Sequence, residues 1–163
     1  MKLEPIEPPE LHELRGYLEG IGDLIRTGQL KWYFDTKLFE MDVSGCAVQD
    51  LVKAAYPDSD PDSATITDCS DLDILETLNH EFSKWLSTAD HTRSLPLPLF
   101  RSDAQLWRYV KACIADEHFR KFECSTSERL DEFGAVGLSG GFAFIIVGEA
   151  SRRSLFISGA DYD

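Results

Sequence analysis

The chain has 163 residues, 43% of them hydrophobic, and a formal net charge of −13. That length and composition suit one globular domain over 1–163 and exclude a disordered chain. The charge argues against nucleic acid and against anionic membrane surfaces as partners, because both select a basic face.

The beginning of the chain, Met1 to Glu10, is rich in Pro and Glu and has no basic stretch followed by an apolar one. No secretory signal is expected there, and the longest apolar run, Phe142 to Val147, is far too short to span a bilayer. A cytoplasmic protein is the expectation.

The first predicted element is a helix over 10–27. Pro8 and Pro9 stand at its entrance, where a missing N–H costs nothing. Leu11, Leu14, Leu18, Ile21 and Ile25 recur at helical steps and form one apolar face. Gly28 supplies a stop. Gly16, Gly20 and Gly22 weaken the helix and leave room for a neighbour to come close.

The period then changes to two. Trp32 and Phe34 alternate with polar neighbours, and so do Phe39, Met41 and Val43. This predicts two strands of an N-terminal hairpin turning at Asp35-Thr36-Lys37, although the turn lacks a glycine. A short helix over 46–55 follows and ends at Tyr56-Pro57. Asp58 to Ser70 reads as a polar loop. Its DSDPDS stretch resembles a calcium loop at the start only, since Ser63 and Cys69 occupy the positions that need Gly and Glu.

A second strong helix is predicted over 71–87, with Leu75, Leu78 and Phe82 on its apolar face. Pro96 and Pro98 mark an extended connector. Ser102 and Gln105 open a third helix, with Leu106 and Cys113 towards the core. The stretch 119–132 fits no single period. Three short strands close the chain: Ala135 to Leu138, Phe142 to Gly148 and Leu155 to Ser158. The second has no polar alternation and reads as the central strand. The expected fold class is therefore α+β: a mostly antiparallel sheet, made of the N-terminal hairpin and the C-terminal strands, with three to four helices packed on one face of it.

Enzyme motifs fail on geometry or order. Gly137-Leu138-Ser139-Gly140-Gly141 has the spacing of a nucleophile elbow, but a strand follows where a helix is needed, and no His follows His118. His80-Glu81 lacks the second His of a zinc protease, since Lys84 stands there. Cys46, Cys69, Cys113 and Cys124 form no CxxC pair, and are expected to be reduced thiols with no metal or other cofactor. Arg152-Arg153 reads as an exposed basic pair at a hairpin tip.

Charge is distributed unevenly. Residues 1–90 carry 19 acids and 7 bases, whereas 91–163 carry 10 and 9. Asp58 to Asp90 holds nine acids and one base. Asp58, Asp60, Asp62, Asp68, Asp71, Asp73, Glu76 and Glu81 are the candidate partner-binding residues. They suggest an acidic protein-binding domain for a basic protein partner, in its most specific form an immunity-type inhibitor that covers the positive substrate site of a toxin such as a nuclease. The alternative is a small enzyme or ligand-binding domain using His80 or His118 with nearby carboxylates.

Overall fold

A computed structural model describes residues 2–24, 31–57, 65–86, 105–125 and 141–162. The elements are β1 (Leu3–Ile6), α1 (Pro9–Leu24), β2 (Lys31–Met41), α2 (Val48–Ala55), β3 (Thr65–Asp68), α3 (Asp71–Leu86), α4 (Gln105–Ile114), β4 (Phe119–Ser125), β5 (Gly141–Gly148) and β6 (Arg153–Tyr162). The six strands form one sheet in the order β1-β2-β6-β5-β4-β3, antiparallel at every pairing. The predicted α+β class with a mostly antiparallel sheet is the fold observed.

The helices do not share one face, as had been expected. α1, α3 and α4 lie on the first face. Leu11, Leu14, Leu18, Ile74, Leu78, Leu106 and Val110 meet Leu38, Phe144, Ile146, Leu155 and Ile157 of the sheet there. Of the described helices, α2 alone lies on the second face, where Leu51, Val52 and Tyr56 cover Phe39, Met41, Ile145 and Phe156. β5 is buried on both sides, and its unbroken apolar run follows from that.

The predicted turn at Asp35-Thr36-Lys37 does not exist. β2 runs straight through it, with Asp35, Thr36 and Lys37 opposite Ser158, Ile157 and Phe156 of β6. The apolar residues of β2 change parity because its cover changes. Phe34 and Leu38 face the first core, whereas Phe39 and Met41 face α2. Thr36 is polar because it receives Arg15 of α1: Arg15 Nε donates to Thr36 Oγ1 at 2.8 Å and Nη2 to the Thr36 carbonyl at 2.7 Å. The same guanidinium donates to both oxygens of Glu7, at 2.6 and 3.0 Å, which holds that carboxyl below its usual range. On its other side, the C-terminal end of β2 pairs with β1, with Leu3 to Ile6 opposite Met41 to Leu38. Pro5 is tolerated there because β1 is an edge strand.

Strands β1 and β3 fell in segments read as non-strand, and β4 in the ambiguous stretch. The motif glycines and serine at 137–140 lie outside the described residues, as do Gly28, Ser102 and the strand expected at 135–138. Gly141 begins β5. No described helix is long and apolar enough to cross a membrane.

Gly16 and Gly20 do not make room for a neighbour, because a Cβ at either would meet nothing within 4 Å. Their cost in α1 is purely conformational. Gly16→Ala and Gly20→Ala are therefore expected to stabilise the protein by about 1 kcal/mol each. Denaturant midpoints check this, and an unchanged or lower midpoint in the double variant would contradict it.

Candidate functional site

The acidic residues are not equivalent once placed. Asp58, Asp60 and Asp62 lie outside the described residues, and so does the side chain of Glu81. Asp68 ends β3, while Asp71, Asp73 and Glu76 lie in the first two turns of α3; all four are exposed.

Two of these carboxylates have local structural duties. Asp73 accepts from the Ser70 backbone N–H at 2.7 Å, and Ser70 Oγ accepts from the Asp73 N–H at 3.2 Å. This reciprocal pair caps α3 and satisfies donors that the first turn leaves over. The bonds from Ser70 lower the carboxyl's pKa. Asp71 pairs with Lys121 of β4 at 2.5 Å and so ties the start of α3 to the sheet. Among the described residues, Asp68 and Glu76 have no such partner.

The acids border the outer edge of the sheet. β3 is the last strand in the sheet order, and its register places Asp68 opposite Phe122 and Ile66 opposite Cys124. Thr77 Oγ1 donates to Glu123 at 3.2 Å and fixes α3 against β4. An open groove of about 540 Å³ follows the junction, lined by Asp68 to Leu72 and Phe119 to Lys121. Leu72 lines it with 60% of its surface exposed, one of two large apolar residues that are exposed among those described.

His80 and His118 are both exposed. Asp116, two residues before His118, is fully engaged by backbone. Its Oδ1 accepts from the His118 N–H at 3.0 Å, and its Oδ2 from Ala150 and Ser151 at 2.9 and 3.3 Å. It thereby joins the end of α4 to the β5–β6 turn. Among the described residues, an enclosed space of about 10 Å³ between the sheet and the helices is wholly apolar, and neither histidine lines it. That is at the lower limit for one water. Among the described residues, no three His, Cys, Asp or Glu side chains are placed to hold a metal ion.

The cysteines carry free thiols. Burial pushes Cys69 and Cys113 up to about 12, and Cys124 to about 11, so these three are poor nucleophiles. Arg153 is not the exposed charge that was expected: it donates to the Cys113 carbonyl at 3.1 Å, near the C-terminus of α4, and lies 3.7 Å from Glu40.

The three backbone bonds, the one from His118 foremost, hold the Asp116 carboxyl below its ordinary range. A group depressed in the folded state contributes stability that is present above its unfolded value, about 3.9, and is lost as pH falls through the folded pKa. Thermal midpoints should therefore drop as pH falls below about 4. Asp116→Asn should lower the midpoint at pH 7 and flatten the acid slope, and a variant whose acid profile matches wild type would refute the assignment.

The fold and its rim define a six-stranded antiparallel α+β domain with an acidic edge. Two crystal structures of citrus MAF1, in space groups C 2 2 21 and P 31 2 1, are similar to this chain in fold. Each is 14% identical to this chain with a TM-score of 0.57; they cover 91% and 92% of it, and 98% and 97% of their own chains. At that identity the likeness is one of fold. No family model and no curated sequence matches the chain.

Proposed function

We propose that the chain is an acidic protein-binding domain whose β3–α3 rim docks on a basic protein partner. The observation that supports this is the division of labour among the acids. Asp71 and Asp73 have structural duties, but Asp68 and Glu76 are exposed on the same rim with no cation against them among the described residues. The net charge of −13 adds a long-range attraction towards a positive surface. The partner that fits best is an enzyme with a positively charged substrate site, which such a domain would cover, as an immunity-type inhibitor does.

The test separates docking from solubility. Asp68→Asn with Glu76→Gln leaves the helix cap and the Lys121 pair intact. The double variant should associate with the basic partner roughly tenfold more slowly at low salt, with an unchanged melting temperature. Raising the salt to 0.15 M, where the Debye length is about 8 Å, should slow the wild type and shrink that difference. The measurement is surface plasmon resonance against a basic partner recovered by affinity capture. An association rate indifferent to both salt and substitution would sink the proposal.

A further inference from the structure

Strand β3 ends the sheet, so one of its two backbone edges has no strand beside it among the described residues. The register shows which groups that edge presents. Cys69 N–H donates to the Lys121 carbonyl at 3.0 Å, in register with the β3–β4 ladder. Backbone groups alternate sides along a strand, so Thr65, Thr67 and Cys69 point into the sheet. Ile66 and Asp68 point out of it, each with one N–H and one carbonyl. No described residue bonds to these four groups. The half-buried Ile66 packs against the second core and holds the edge in extended form.

We propose that this edge receives an extended, basic segment of the partner as a seventh strand. The inference rests on the docking reading above and specifies its geometry. Backbone bonds to Ile66 and Asp68 would supply the pairing, and alternate side chains would supply selectivity. Charge decides the occupant. Asp68 lies on the second face of the edge, while Asp73 and Glu76 border the first face on α3, so cationic side chains meet acids whichever face they take. A second copy of this chain is disfavoured, because its own β3 would bring Asp68 and the α3 acids against their counterparts.

The probe is a labelled octapeptide of alternating Lys and Val. Its control carries the same charge but is N-methylated at the four central amides, which deletes the donors of both edges. Fluorescence anisotropy at low ionic strength should show the parent peptide binding at least tenfold more tightly than the control. Ile66→Pro removes one outward N–H without touching the ladder to β4, and Pro is tolerated at such an edge position. It should abolish the difference between the two peptides. Circular dichroism verifies its fold, and the comparison of peptides on the wild type decides the matter even if the variant unfolds. Equal, salt-sensitive binding of both peptides would overturn strand addition and leave the acidic docking reading standing. Failure of both peptides to bind would overturn both readings.

Discussion

Phe144→Ala should lower the free energy of unfolding by about 3–5 kcal/mol. Phe144 is 1% exposed on β5, between Glu123 of β4 and Ile157 of β6 in register. Its ring stacks on Phe142 with centroids 5.3 Å apart and faces the helices of the first core. It also lines the small apolar cavity beside Trp107 and Leu106. Truncation therefore enlarges an existing void whose walls belong to the sheet and two or more helices, and a void so framed collapses poorly. Urea denaturation should show a lower midpoint at unchanged slope. A loss below about 1 kcal/mol would mean that the core closes over the gap.

Gly159→Ala should destabilise by about 1–3 kcal/mol, although alanine is ordinarily the better residue in a strand. Gly159 faces Phe34 of β2 on one side and Phe142 of β5 on the other. The two rings approach over the missing side chain, with centroids 6.2 Å apart. A Cβ would lie 2.6 Å from Phe142 Cζ and 3.2 Å from Phe34 Cδ1. Phe142 is buried and cannot swing away without displacing its neighbours. The cost should be coupled to that ring: in Phe142→Leu the same glycine substitution should cost markedly less, a non-additivity that a double-mutant cycle reads directly. Strictly additive effects would show that the strain arises elsewhere.

Helices α1 and α3 and strand β5 were legible because burial on one face, or on two, writes a clear period into the residues. β2 misled because its two halves are covered on opposite faces, and a parity change in the apolar pattern looks the same as a turn. The absent glycine at Asp35-Thr36-Lys37 was the available warning. β1 and β3 are edge strands of four residues, too short for a period and carrying Pro5 or Asp68. β4 alternates Phe119, Lys121 and Glu123 with Arg120, Phe122 and Cys124, so neither of its faces reads as apolar. Among the site residues, the acidic run was visible, but the split between structural and unpartnered carboxylates was not. Ser70 with Asp73 has the spacing of a cap and could have been read as one; the Asp71–Lys121 pair joins residues 50 positions apart and could not.

The placement of β5 has a consequence for the behaviour of the chain in a crowded solution. Phe142 to Val147 is six residues of strand-forming side chains with no charge and no proline, the composition that stacks into cross-β fibrils when left exposed. In the native sheet its two edges are taken by β4 and β6, and its two faces by the cores. The strands at the rim are short instead, interrupted by proline at one end and bordered by carboxylates at the other. The sequence thus keeps its most self-adhesive segment in an interior position where another copy cannot reach it, and gives the accessible border to residues that repel their own kind.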